Sequence, residues 1–255
     1  MPLPDARPFF FRALKVARAE MAALTALLVA AVGVMTFVEV ADDMTEADGR
    51  AFDQQVLMLL RPHIDDPGRP WGPWWLKEAA ADITALGGVS VLGLFAVIVI
   101  AFLVSQRKWL SSLLLILGLA GGVALSEGLK AIFERERPPA AMQAVETINA
   151  SFPSGHALLS TVFYLSIAVM LTRAFPRRRF KLFVLGVGIL LALLVGLTRV
   201  YLGAHWASDV FARWAVGAAW AMILWLVSYA VARLQKARHA PLQDEPAPAA
   251  DPPDE

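Results

Sequence analysis

The sequence contains no cysteine, and its 255 residues include only four histidines and three tyrosines. Disulfide bonds and thiol chemistry are therefore excluded. Charge is also scarce, because only 18% of the residues are charged and the formal net charge is +1. Apolar residues take the place of charge: they make up 58% of the chain, compared with about 45–50% in an ordinary soluble domain.

The apolar residues are gathered in six uncharged runs, each close to the roughly 17–25 residues that cross a bilayer. The shortest run, 157–172, reaches that length if its helix begins near Ser154. The first run is expected to be a retained helix and not a signal peptide, because Glu39 stands where a small residue would be needed before Ala41. The sequence predicts an all-α polytopic membrane protein with six transmembrane helices, at 21–38, 84–106, 109–126, 157–172, 182–198 and 214–232.

The segment between the first two runs, 41–83, is long for a loop. Apolar residues recur at helical spacing within 51–64 and 74–83, which favours short amphipathic helices at the membrane surface. We expect these helices to pack on the outer ends of the spans without contacting substrate. We assign 1–235 to one domain and expect 236–255, rich in proline, alanine and acid, to be a disordered cytoplasmic tail.

Basic residues concentrate before the first run, after the last run, and in the connections at 107–108 and 173–181. All of these segments lie on one side if every run crosses the membrane. Because short loops rich in lysine and arginine stay in the cytoplasm, both termini are predicted to be cytoplasmic. The remaining connections then face outward.

Three polar groups stand at the predicted outer ends of the spans. In KAIFERERP, Lys130 and Arg137 are seven residues apart, about two turns, so that on a helix they would share a face. In TRVYLGAHWASD, Arg199 is followed by His205 and Asp209. His205 and Asp209 would lie one turn apart if both are on the start of the sixth helix.

The third group, PSGH, opens the fourth run with Ser154, Gly155 and His156. A helix N-terminus favours an anion there, and arginine forks match phosphate oxygens. Two histidines could then attack phosphorus and protonate a leaving oxygen. Taken singly, each group has a plainer interpretation: Ser154 is a good N-cap, His156 could be an interfacial polar residue, and the cations could be membrane anchors.

Together, the three motifs resemble the type 2 phosphatidic acid phosphatase superfamily, which also includes bacterial acid phosphatases, glucose-6-phosphatase and vanadium haloperoxidases. The family pattern is K-x6-R-P, P-S-G-H and S-R-x5-H-x3-D. Every spacing matches, and the one departure is Thr198 where serine is usual. The motifs span about 80 residues, and the predicted six-span layout extends the resemblance across most of the chain.

The resemblance implies a role for each residue of the motifs. His205 resembles the nucleophile that forms a phosphohistidine, and His156 the general acid. Asp209 resembles the carboxylate that orients the nucleophile. The phosphate-binding set would be Lys130, Arg137, Ser154, Gly155 and Arg199.

The resemblance further implies metal-independent hydrolysis of a lipid phosphate or diphosphate, with no cofactor. The predicted orientation puts this activity at the outer face of the membrane, which we expect to be a bacterial inner membrane. Candidate substrates are undecaprenyl diphosphate, phosphatidic acid and phosphatidylglycerol phosphate. We expect membrane lipids as partners and no nucleic acid, and we assign no oligomeric state. Two alternatives stay open: a phosphotransferase with another acceptor, and a non-catalytic lipid-binding or transport protein. Glu127 and Arg213 are charges near membrane depth that we leave outside the site.

Overall fold

The structure, a computed structural model, describes residues 7–44, 46–133, 135–145 and 156–238, excepting the side chains of 7–19 and of residue 236. The described residues form helices and no strand, so the all-α prediction is confirmed. A 3-10 helix at Ala140–Met142 precedes α6. The α-helices are α1 (Arg7–Asp43), α2 (Ala47–Leu59), α3 (Trp74–Ala85), α4 (Val89–Ser105), α5 (Trp109–Phe133), α6 (His156–Ala174), α7 (Arg178–Tyr201) and α8 (Ala207–Arg238).

Six membrane spans can be drawn through the described helices. Five helices are each long and apolar enough to cross a bilayer: α1 from Glu20, α5, α6, α7, and α8 as far as Gln235. The sixth is obtained if the pair α3 and α4, bent by 44°, is counted as one span. Large apolar side chains such as Leu28, Val97 and Leu190 stay exposed along these helices, as expected for surfaces that face lipid.

The bent pair corrects the predicted second span, which was to run unbroken from residue 84. The helix is interrupted between Ala85 and Val89, where Gly87 and Gly88 give the backbone a freedom that disfavours a continuous helix. The 17 residues of α4 are at the lower limit of about 17–25 residues for crossing a bilayer, and α3 precedes them at an angle of 44°. The segment predicted as a second surface helix, 74–83, forms α3 and is separated from α4 by this break.

Two contacts at one end of the bundle involve basic residues of α6 and α8. Arg233 near the end of α8 pairs with Glu20 of α1 at 2.7 Å, and Arg173 at the end of α6 donates to the Ser228 hydroxyl at 2.6 Å. The first and last spans therefore meet at the same end as the α6–α7 connection. The last helix continues to Arg238, three residues beyond the predicted domain boundary, and 239–255 lie outside the described residues.

Two tryptophans of α8 fix the packing of the bundle. Trp220 lies against Gly121 of α5, where an added Cβ would overlap its ring, and its indole nitrogen donates to the Gly118 carbonyl at 2.9 Å. Trp214 lies against Gly196 of α7 in the same way. Small residues allow such close approach between membrane helices, so α8 is held between α5 and α7.

Candidate active site

His205 lies in the connection between α7 and α8 and not on α8 itself, because α8 begins only at Ala207. The condition under which His205 and Asp209 would lie one turn apart, that both are on the start of the sixth helix, is therefore not met. The chain turns at Gly203, whose φ of +69° and closeness to the Met142 carbonyl exclude a side chain. Buried Arg61 secures this turn, since its guanidinium donates to the carbonyls of Met142 at 2.9 Å and Tyr201 at 3.0 Å.

The Nδ1 atom of His205 faces two groups of α8. Arg213 donates to it at 2.9 Å, whereas the nearest oxygen of Asp209 is 3.6 Å away, beyond hydrogen-bonding distance. The other ring nitrogen, Nε2, is buried and has no hydrogen-bond partner among the described residues. Burial, reinforced by the nearby positive charges of Arg213 and Arg199, lowers the pKa of His205 to about 3, even though Asp209 opposes the shift. The ring is therefore neutral at physiological pH, as a nucleophilic imidazole must be.

Asp209 is held from outside its own helix. Arg135, in the stretch after α5, donates to Oδ1 at 2.8 Å, and the Trp206 amide donates to Oδ2 at 3.3 Å. Burial opposes ionisation of Arg135, but the charges and hydrogen bonds of Asp209 and Asp53 outweigh it and raise the pKa of Arg135. Asp209 is therefore paired with a permanent cation.

The same arginine connects Asp209 to α2. Asp53 of α2, only 2% exposed, accepts from Arg135 at 2.6 Å and from the Ser208 amide at 2.9 Å. The Ser208 hydroxyl also bonds to Asp53. Asp53 thus satisfies an amide in the first turn of α8, a turn whose N–H groups have no partner within the helix.

His156 is the first residue of α6 and lies against the break between α3 and α4. A Cβ added to Gly87 would come within 3.3 Å of the His156 Cβ, so the break leaves room for this residue. The Leu86 carbonyl at the break accepts a hydrogen bond from Tyr164 of α6 at 2.8 Å. His156 Nδ1 is buried with no hydrogen-bond partner in the described part of the chain. Ser154 and Gly155 lie outside the described residues, so their phosphate-binding role stays a prediction.

The three predicted cations come from different segments. Arg199, in the last turn of α7, is buried and reaches the Thr84 hydroxyl beside the α3–α4 break at 3.4 Å. Lys130, near the end of α5, pairs with Glu127 at 3.4 Å. Arg137 is not on the helix of Lys130, because α5 ends at Phe133. Two prolines follow Arg137 directly, and the residue before a proline is disfavoured in a helix.

The predicted residues that the structure describes nevertheless gather at one place. Arg199 interacts electrostatically with Arg137, with His156 and with His205. Lys130 likewise interacts with Arg137. Two histidines therefore share a site with a concentration of positive charge, which is an arrangement suited to binding an oxyanion.

Thr198, which departs from the family pattern, is accommodated within α7. Its hydroxyl donates to the Val195 carbonyl at 2.7 Å, and the residue is buried. A serine hydroxyl makes the same kind of bond inside a helix. The Thr198 hydroxyl is therefore bonded to the α7 backbone, next to Arg199.

Sequence reasoning missed three residues of the site: Asp53, Arg135 and Arg213. Asp53 carried a signal in its spacing, since it stands four residues before Leu57 and would share a helix face with it; the structure buries both. Arg135 carried none, because its partners are distant in sequence. Arg213 carried one as a charge near membrane depth, but it was left outside the site because its contact with His205 depends on how the 202–206 turn folds. No group of three His, Asp or Glu side chains that could hold a metal is found among the described residues.

Comparisons with known proteins agree with these motifs. The profile of the PAP2 superfamily matches residues 109–233. Phosphatidylglycerophosphatase B of Bacillus subtilis (strain 168) is 36% identical over 144 residues, covering 56% of this chain and 70% of that protein. An undecaprenyl-diphosphatase of Sulfolobus acidocaldarius is 31% identical over 120 residues, covering 45% and 54%. A lipid A 1-phosphatase of Rhizobium etli is 39% identical over 80 residues, covering 31% and 30%.

The fold also matches a solved structure. The crystal structure of a transmembrane PAP2 type phosphatidylglycerolphosphate phosphatase from Bacillus subtilis superposes with a TM-score of 0.70 at 27% identity. The match covers 79% of this chain and 96% of that chain. The helical arrangement is therefore shared over most of both chains.

Proposed function

Because this chain belongs to the PAP2 superfamily, we propose that it is an integral-membrane phosphatase that hydrolyses a lipid phosphate. The observation that carries the proposal is the gathering of His156, His205 and Arg199 from three separate segments around one buried, positively charged place. Phosphatidylglycerol phosphate is the first substrate to test, because a relative and the solved structure both carry that activity in their names.

In the proposed reaction, His205 Nε2 attacks phosphorus while the bond from phosphorus to the lipid oxygen breaks. His156 gives its proton to that oxygen, so the lipid leaves as a neutral alcohol. Water then cleaves the phosphohistidine and releases inorganic phosphate. Asp209, held by Arg135 at 2.8 Å, stabilises the positive charge that develops on His205.

The cations supply electrostatic stabilisation of the phosphoryl group. Arg199 presents a buried fork, and Arg137 and Lys130 interact with each other beside it. Ser154 and the Gly155 amide would complete the cradle at the start of α6. In this scheme the charge on phosphate is neutralised by side chains, and no metal is required.

The outward-facing side of the membrane is the proposed location of the site. The Arg233–Glu20 and Arg173–Ser228 contacts bring the basic segments to one end of the bundle, and the positive-inside rule favours the cytoplasm for that end. His205 follows the opposite end of α7 from the basic residues Arg178 and Arg179. A site at helix ends suits a lipid whose head group is at the interface while its tail stays in the bilayer.

The decisive experiment is a phosphate-release panel on the purified protein, with phosphatidylglycerol phosphate, phosphatidic acid and undecaprenyl diphosphate, each with and without EDTA. We expect release that EDTA leaves intact, and an acid-labile phosphoenzyme that His205→Ala cannot form. Loss of activity in EDTA with recovery in Mg²⁺ would contradict the metal-independent scheme. Transfer of phosphate to an added alcohol in preference to water would favour the transferase, and lipid binding without release would favour the non-catalytic alternative.

A further inference from the structure

The hydrogen bond from Arg213 to His205 determines which nitrogen of the ring carries the proton. An arginine guanidinium has only donors, so Nδ1, which lies 2.9 Å from Arg213 Nη1, must present its lone pair. Burial keeps the ring neutral, and a neutral imidazole has a single N–H. That N–H is therefore on Nε2.

This tautomer is the wrong one for the proposed reaction. Nδ1 is turned toward Arg213 and Asp209, whereas Nε2 is the nitrogen without a partner among the described residues. Attack on phosphorus by Nε2 needs a lone pair there, with the proton on Nδ1 donated to Asp209. Asp209 Oδ2 lies 3.6 Å from Nδ1, near the place where it would accept that proton. Arg213 instead bonds to Nδ1 and occupies this place.

Arg213 is surrounded by groups that make its position sensitive to an incoming anion. Electrostatic attraction from Asp209 holds it beside His205, while Arg137 and Arg135 repel it. It also acts on Arg199 and Lys130, two residues of the proposed cradle. A phosphate bound among these cations would lie close to Arg213 and would compete with His205 for its guanidinium.

We propose that Arg213 is a positioning residue that holds His205 in the non-nucleophilic tautomer until a phosphate group draws it away. On binding, Arg213 turns to the phosphate, one proton leaves Nε2 for water and another is taken up at Nδ1, so the charge of the ring does not change. The new Nδ1–H donates to Asp209, and the Nε2 lone pair faces phosphorus. The proposal rests on the proposed function, since it assigns the attack to Nε2 of His205.

The test reads the tautomer directly by ¹⁵N NMR of histidine-labelled full-length protein in lipid nanodiscs. The chain has four histidines, and loss of a signal in His205→Asn assigns His205. In the free wild type we expect a protonated Nε2 and an unprotonated Nδ1. Orthovanadate, which imitates the phosphoryl group in transfer, should reverse the two, and Arg213→Met should show the reversed tautomer with no ligand. Arg69→Met, which removes an exposed arginine, is the matched control and should keep the wild-type pattern.

Two results would overturn the proposal: a free wild-type enzyme already protonated at Nδ1, or an Arg213→Met protein still protonated at Nε2. If Arg213→Met does not fold, the wild-type comparison with and without vanadate decides alone, and an unchanged tautomer rejects the proposal. Phosphate release by the wild type is measured separately. Release with an unmoved tautomer rejects the role of Arg213 but keeps the proposed function, whereas absence of release on every lipid rejects the function.

Discussion

Asp53 and Arg135 are 82 residues apart in sequence and form an ion pair at 2.6 Å. The pair joins α2 to the stretch after α5, and Arg135 continues to Asp209 at 2.8 Å. A helix that the sequence placed at the membrane surface is thereby connected to the candidate site through two bonds.

Asp53→Ala should destabilise the protein by about 3–5 kcal/mol, because it leaves Arg135 without one of its two carboxylates and removes an acceptor from α8. Thermal unfolding in detergent measures the loss. Asp65→Ala is the control, since Asp65 is exposed in the connection after α2. Equal melting temperatures for the two variants would show that the buried pair does not contribute to stability.

Arg199→Ala should lower kcat/KM by about 10²–10³, the usual cost of losing one preorganised donor. Arg199→Lys should also be poor, because an ammonium group cannot reproduce the guanidinium fork. Steady-state phosphate release measures both, with the exposed Arg69→Ala as control. If Arg199→Ala keeps wild-type kcat/KM, Arg199 is an anchor of α7 and not a phosphate ligand.

His156→Ala should harm esters with poor leaving groups most. A general acid matters when the leaving oxygen needs a proton, so an activated aryl phosphate should show a smaller defect than a lipid phosphate. Rates of the variant and wild type on a series of aryl phosphates measure this dependence. The same defect across the whole series would remove the general-acid role from His156.

Acidification should lower the free energy of unfolding of the protein because of His205. Its pKa is about 3 when folded and about 6.5 when unfolded, so below pH 6.5 the unfolded chain binds more protons. The contribution of neutral, buried His205 to the free energy of unfolding is complete above pH 6.5. It is lost at about 1.4 kcal/mol per pH unit as the pH falls toward 3. Melting temperatures between pH 6.5 and 4.5 should therefore fall more steeply for the wild type than for His205→Asn. Parallel slopes would mean that His205 is solvated.

Membrane orientation can be read with single cysteines, because the chain has none. Arg178→Cys at the basic end should resist an impermeant thiol reagent in intact cells, whereas Ala141→Cys, exposed in the 3-10 helix, should react. Permeabilised cells, in which both should be labelled, provide the control. The opposite pattern in intact cells would place the site in the cytoplasmic leaflet.

Local sequence was enough to predict the helical class and most of the spans, and it contains the three motifs. A bilayer requires the backbone N–H and C=O groups of a spanning segment to be hydrogen-bonded within that segment. A long apolar run such as 182–198 therefore predicts a helix by itself. The sequence also indicated that His205 and Asp209 are neighbours. They are not on one helix, but the turn before α8 still brings their side chains within 3.6 Å.

Tertiary structure alone decided how the site is held. The break at Gly87 and Gly88 lies beside His156 because α4 and α6 pack together, and no local pattern reports that contact. Asp53, Arg135 and Arg213 gain their partners from segments that are distant in sequence or from the turn that carries His205. Hydrophobic periodicity records which residues avoid water but not which charges meet, since ion pairs depend on distances that only the packed helices set.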